Sequence, residues 1–241
     1  MEVTKREVIF SIVIVCAMLT IGFLIAGKIE QNLQDKYIEY ETAARIDGDR
    51  DAFLYGMESN LGNAFVYGDL VAVDPVDGHG IDGQYASVRK VKERYTEHTR
   101  TVTRTVGKRV VTEVQHYWTW DEVSTEEWHC SKITFLGVSF PYGTVDFPYE
   151  IHIETVRESR KIRYQYYVCY PQYTGTIYTS LREGGISKAA LQAGMTIEET
   201  INSLESSFPL IFFWAFWIML IMLAVTCFVS LENRWLKDER W

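Results

Sequence analysis

Asp47, Asp49 and Asp51 alternate with Gly48 and Arg50, and Glu58 follows at the twelfth position counted from Asp47. Carboxylates at the first, third, fifth and twelfth positions, with an apolar residue (Leu54) at the eighth, are how a calcium-binding loop gathers hard oxygen ligands. Ala52 stands at the sixth position, where such a loop turns on glycine, and Asn60-Leu61-Gly62-Asn63 interrupts a helix after it. The same residues suit a solvated acidic turn closing a preceding helix. Calcium is the one metal this pattern offers, and no other cofactor is implied.

The remaining chemistry-bearing residues are dispersed. His79, His98, His116, His129 and His152 share no ligand spacing, and adjacent His129-Cys130 is poorly spaced for two ligands of one zinc. Cys130 and Cys169 are the two cysteines outside the apolar ends. In an oxidising compartment they are a disulfide candidate; otherwise they are two buried thiols that pack as small hydrophobes. No P-loop, G-x-G-x-x-G, G-x-S-x-G or H-E-x-x-H occurs. Tyr117, Trp118, Trp120 and Trp128 form an aromatic group that reads first as core or membrane-facing packing, and second as a binding surface.

These residues must be positioned by a β-rich region. In 95–120, Thr99, Thr101, Thr103 and Thr105 alternate with Arg100, Val102, Arg104 and Val106. Val110, Val114, Tyr117, Trp118 and Trp120 follow on a partner run. That is a long hairpin, with Gly107-Lys108 supplying the turn. A strand containing Val66, Leu70, Val71 and Val73 stops at Asp74-Pro75, a loop fills 75–83, and 84–93 is ambiguous between strand and helix. Shorter strands are expected at 133–140, 163–169 and 175–180. Before the hairpin, Ile29, Leu33, Tyr37, Tyr40 and Ala44 predict a helix over 28–46. After it, Thr196-Ile197-Glu198-Glu199 is a capping box that opens a short helix over 196–206.

The mean hydropathy of -0.08 hides a partition. Residues 8–26 and 210–230 carry no charge, and about 20 residues of helix match a hydrocarbon layer of about 30 Å. The first run ends in Leu24-Ile25-Ala26, a poor cleavage site for a signal peptide, the second is too long and uncharged for a buried soluble helix, and neither carries a charge for an ion path. The expected architecture is an α+β membrane protein: two transmembrane helices (8–27 and 208–231) flanking a β-rich extracytoplasmic domain (28–207, with the β-rich part at 64–180). The tails are 1–7 and 232–241. Arg234, Lys237 and Arg240 follow the second run, whereas no Lys or Arg lies in 189–208, so both termini are expected to be cytoplasmic, in a cell membrane. Trp235 and Trp241 then sit near the inner interface. The spans are expected to pack antiparallel, with Ala17 and Gly22 on one and Ala215 and Ala224 on the other allowing close approach. Charges in both tails cancel, so the net charge of -8 belongs to the middle, which disfavours nucleic acid as a partner.

Four segments, Asn63-Ala64-Phe65-Val66-Tyr67-Gly68-Asp69-Leu70, Tyr117-Trp118-Thr119-Trp120-Asp121, Phe135-Leu136-Gly137-Val138 and Ile197-Glu198-Glu199-Thr200-Ile201, give the chain a resemblance. It resembles uncharacterised two-span membrane proteins of Firmicutes bacteria and their prophages or mobile elements. A fainter similarity, confined to the hairpin, is to the LUMA family of membrane proteins. The resemblance implies bacterial or phage origin and membrane residence, and carries no activity. The expected function is therefore that of a membrane-anchored, non-enzymatic interaction or scaffold protein of the bacterial envelope. The alternative is an envelope enzyme with an unrecognised site. Expected partners are the lipid bilayer, an envelope or surface protein, and further copies in a homo-oligomer.

Overall fold

The computed structural model describes residues 5–106, 109–205 and 208–238. The expected Gly107-Lys108 turn, the expected end of the short helix at Ser206 and Trp241, expected near the inner interface, lie outside the described residues, as does the side chain of Trp235. Two compact units are present: one holds the two ends of the chain (Met1–Thr42 and Ile201–Trp241), the other Ala43–Thr200.

In the first unit, α1 (Lys5–Thr42) and α4 (Phe208–Asp238) are both long and apolar enough to cross a membrane. They run antiparallel: Phe10 meets Phe228, Met18 meets Trp217, and Phe23 meets Trp214. The Trp217 indole N–H donates to the Met18 carbonyl at 3.0 Å, which gives the one polar group of that side chain a partner inside an apolar environment. Gly22 makes the approach work, because a Cβ there would run into the indole of Trp217. Of the small residues expected at the contact, Gly22 is buried and Ala224 half-buried, but Ala17 and Ala215 are exposed. The contact stripe on α1 is instead Ser11, Val15, Met18, Gly22 and Ala26, at helical spacing.

The expected helix over 28–46 holds only to Thr42. Ala44–Asp47 is a strand, β1, paired parallel with Ala64–Tyr67. Ile46 becomes a buried member of the core, and that burial overrides the helical stripe to which Ala44 seemed to belong. A helix absent from the sequence reading follows: α2 (Arg50–Glu58), which buries Phe53 and Met57.

The larger sheet centres on β2 (Gly62–Ala72), where Ala64, Phe65, Val66 and Leu70 have no exposed surface. Next come β3 (Val76–Asp77) and β4 (Gln84–Tyr85), a small separate ladder within the expected loop. The long pair is β5 (Ser87–Val106) and β6 (Arg109–His129). The expected strand at 133–140 is a hairpin, β7 (Lys132–Phe135) and β8 (Val138–Pro141). Its turn places both Leu136 (φ 48) and Gly137 (φ 70) at positive φ, as a two-residue hairpin connection requires. The Leu136 side chain lies where a Cβ on Gly68 would stand, so these two residues fit only together.

The chain continues through β9 (Val145–Asp146), β10 (Ile151–Ser159), β11 (Ile162–Cys169), β12 (Gln172–Arg182), β13 (Gly185–Ile186) and β14 (Ala189–Ala193). The larger sheet has the order β8-β7-β2-β12-β14-β9, with β1 on β2 and β13 on β12; the smaller is β10-β11-β5-β6. Phe53 sits between Phe135 and Phe140 in the main core, with Ile133, Ile177 and Leu181. A second cluster of Ile81, Tyr85, Val88, Tyr166 and Val168 covers one face of the smaller sheet. The short helix forms as α3 (Ile197–Leu204), and its capping box is made: the Glu199 N–H donates to Thr196 Oγ1 at 3.3 Å and the Thr196 N–H to Glu199 Oε2 at 2.9 Å.

Candidate functional site

The four candidate calcium ligands do not form a loop. Asp47 ends β1, Asp49 caps α2, and Asp51 and Glu58 lie in its first and last turns. Asp49 Oδ1 accepts the N–H groups of Asp51 and Ala52, both at 3.0 Å, the ordinary work of an N-cap. Helix rise carries Glu58 about 10 Å along the axis from Asp51, so the twelfth position never returns to the first. Among the described residues no group of three or more His, Cys, Asp or Glu is arranged to hold a metal ion. Asp47 instead lines a cleft of about 340 Å³ with Arg45, Tyr67, Thr196, Ile197 and Glu198.

The expected Cys130–Cys169 bridge is absent, and both are free, buried thiols. They flank one segment: the Ala86 N–H donates to the Cys169 carbonyl at 2.9 Å, and the Cys130 N–H to the Ala86 carbonyl at 2.8 Å. Two strand spacings separate them, about 9–10 Å, beyond the roughly 7 Å that a disulfide spans. Burial pushes the Cys130 thiol up to about 11 and raises that of Cys169, which leaves both protonated and unreactive.

The histidines are satisfied singly. His79 stacks on Trp128, His129 stacks on Tyr142, and His152 meets the Thr155 hydroxyl. His98 pairs with Asp121 at 2.6 Å and His116 with Glu97 at 2.7 Å. Hydrogen bonds from the Thr119 hydroxyl and then from His98 lower the Asp121 carboxyl from its usual range.

Both of those histidine–carboxylate contacts belong to the feature that sets this domain apart. Strand β11 pairs with β5 only as far as Arg94. Beyond it β5 and β6 continue alone for twelve more cross-strand pairs, from Tyr95↔Trp120 to Val106↔Arg109, a ribbon of about 40 Å. An aromatic and cationic cluster holds its base. Tyr95 packs on Trp118 and Trp120, with ring centres at 5.3 and 5.1 Å. Arg163 lies over Trp120 and Lys161 over Trp118. Arg163 also donates to Glu93, which Gln165 contacts as well. Further out the ribbon is solvated: Val110 is 69% exposed, Val111 49%, Val114 56%, Tyr117 43% and Trp118 42%. Of the aromatic group read first as core or membrane-facing packing, Tyr117 and Trp118 are exposed, while Trp120 and Trp128 are half-buried and Trp128 packs on the second core cluster. The arm is also basic within an acidic chain, carrying Arg100, Arg104, Lys108 and Arg109 against Glu97 and Glu113.

The sequence reading located this hairpin without distinguishing arm from core. The deciding fact, the end of β11 at Arg94, depends on register between segments some seventy residues apart. No known protein family, curated protein or solved structure matches the chain.

Proposed function

We propose that this chain is a membrane-anchored, non-enzymatic interaction protein of a bacterial envelope, and that its binding element is the β5–β6 arm. The arm carries the reading: a two-stranded ribbon with unpaired backbone edges and exposed valine and aromatic side chains is a ready template for strand addition. Large exposed apolar groups in one place mark interaction sites. The two apolar helices supply the anchor. The cations after the second span, with none just before it, support cytoplasmic termini and an outer β domain. Origin in Firmicutes or their prophages rests on the resemblance alone.

The test combines photocrosslinking with arm deletion. A photoreactive residue at Thr112 should give adducts in intact membranes, and one at Glu154 on β10 should not. Replacing residues 97–118 by a two-residue turn should leave membrane integration and the β-sheet signature intact. Adducts equal at both positions, or loss of sheet with the arm, would remove the basis for the reading. Tags at residues 1 and 241 should resist protease in sealed spheroplasts; their cleavage would reverse the topology.

The rival reading, an envelope enzyme, rests on the cleft of Arg45, Asp47, Tyr67, Thr196 and Glu198. It brings carboxylates, a guanidinium and a phenol together, but its lining has no thiol or imidazole to act as nucleophile or base.

A further inference from the structure

Among the described residues strand β6 is the edge of its sheet along its whole length, with β5 as its neighbour. Which backbone groups it presents outward follows from a bond at the arm's base. The Tyr95 N–H donates to the Lys161 carbonyl at 2.9 Å, so the backbone of Tyr95 points away from β6. Alternation then turns Thr96, His98, Arg100, Val102 and Arg104 toward β6, where they oppose Thr119, Tyr117, Gln115, Glu113 and Val111. No register shift interrupts this part of the ladder. On β6 the intervening residues, Val110, Thr112, Val114, His116 and Trp118, therefore aim N–H and C=O at open solvent.

We propose that this edge pairs antiparallel with β6 of a second copy of the chain, about a two-fold axis through Val114. The proposal rests on the reading of the arm as the interaction element and names its partner. In that register Val110 faces Trp118 of the other copy, Val111 faces Tyr117, and Val114 faces itself. All five exposed large apolar side chains of the arm are then covered, on both faces of the ribbon. Glu113 meets Gln115, Thr112 meets His116 and Arg109 meets Thr119, so no like charges oppose one another. The adjacent registers with the same hydrogen-bonding phase are worse. An axis at Glu113 sets that carboxylate against its own copy. An axis at Gln115 places Trp118 on Thr112 and Val114 on His116.

Three further observations favour a second copy. Free edges are usually blunted by charge, proline or a bulge, yet from Val110 to Trp120 there is no proline, lysine or arginine, and Glu113 and His116 are the two titratable groups besides Tyr117. The other edge of the same arm is polar, with Glu97, Thr99, Thr101 and Thr103 directed outward, so the apolar character belongs to β6. A two-stranded ribbon is marginal in water, whereas four strands are not; pairing through β6 makes the arm four-stranded, β5-β6-β6-β5. Anchoring in one bilayer raises the effective concentration of copies.

The test uses the full chain in phosphatidylcholine–phosphatidylglycerol vesicles, with Cys16→Ser and Cys227→Ser to remove the exposed span thiols. Directly opposed residues of a hydrogen-bonded pair have Cα atoms about 5.5 Å apart, within disulfide reach. Under mild oxidation, Val114→Cys should appear mostly as a disulfide dimer. Thr101→Cys, its neighbour across the same arm, should crosslink at least tenfold less. Adding Thr112→Pro removes an outward N–H without touching a bond to β5, and should cut the Val114→Cys dimer at least tenfold. A Val114→Cys protein that keeps its far-UV circular dichroism but stays monomeric overturns the proposal, as does equal crosslinking at Thr101. If photoadducts to another protein persist at Thr112 in that case, self-pairing alone fails. If they vanish too, the interaction reading falls with it.

Discussion

The near and far halves of the β5–β6 pair are made of the same two strands in one ladder, yet they are different objects. Near the root, β11 flanks β5, and Val88 and Val91 are 1% and 5% exposed. Beyond Arg94 no described residue of either strand is buried. The root is stabilised by what packs on it; beyond the base, where Lys161 and Arg163 still reach Trp118 and Trp120, the tip rests on cross-strand contacts. Strand formation thus needs only alternation and a turn, whereas a fixed place in the fold needs a neighbour, and that neighbour is encoded far away in sequence.

The largest expected effect lies on the packed side of this divide. Phe53→Ala should cost the β domain about 3–5 kcal/mol, because the ring is fully buried between Phe135 and Phe140. Denaturant unfolding of the purified full chain, followed by tryptophan fluorescence, measures it. Val88→Ala at the root should cost about 1.5–3 kcal/mol, and Val110→Ala at the tip less than about 0.5 kcal/mol in isolated monomer. Equal costs for the two valines would erase the distinction between root and tip.

The sequence was legible where one residue pattern sufficed. Uncharged runs gave both apolar helices, and the capping box at Thr196 and Glu199 formed as read. The hairpin was clearest in its exposed half, because each face there is uniform enough to alternate. It was ambiguous at 84–93, where Val88 and Val91 fall three apart and point to opposite, partly covered faces, which imitates helical spacing. Strand β10 went unread because an edge strand carrying Glu154, Arg157 and Glu158 has no continuous apolar face. The turn at Leu136-Gly137 hid behind a leucine, whose positive φ depends on the space left by Gly68. Of the candidate sites, the acidic cluster and the cysteine pair were real as residues but not as constellations. Asp49 caps α2, Asp51 and Glu58 lie in its first and last turns, and the backbone of Ala86 separates the thiols.

The boundary between root and tip can be loosened on its own. Arg163 stacks over Trp120 with its guanidinium carbon 4.3 Å from the ring centre and bonds Glu93, and both partners of this ion pair are mostly buried. Arg163→Ala should cost about 1–2 kcal/mol, and the effect should be local. Amide exchange at Thr96, His98, Tyr117 and Thr119 should accelerate while that of residues 88–92 stays as before. Uniform acceleration through both segments would mean that the arm and the root open as one unit.

The smallest effect expected is at the far end of the root, and it is visible only in acid. Where β6 ends, the Asp74 carboxylate accepts the N–H groups of Ser131 and Lys132 at 3.0–3.1 Å. These bonds, that to Ser131 first, hold its pKa at about 2, below the ordinary 3.8. The native state therefore binds this proton less readily than the unfolded chain does. The stabilisation is fully present above about pH 4 and is lost as pH falls through the folded value near 2. Asp121 and Glu199, also lowered, add slopes of the same sign, so the informative quantity is a difference between proteins. Asp74→Asn keeps an acceptor oxygen but no titration. Its Tm should lie a few degrees below that of the parent at pH 6, and the gap should close toward pH 2, where the parent carboxyl is itself becoming protonated. A gap that stays constant from pH 6 to pH 2 would show that Asp74 acts through shape rather than charge. The charged contact at the root would then be confined to its other end, at Arg163 and Glu93.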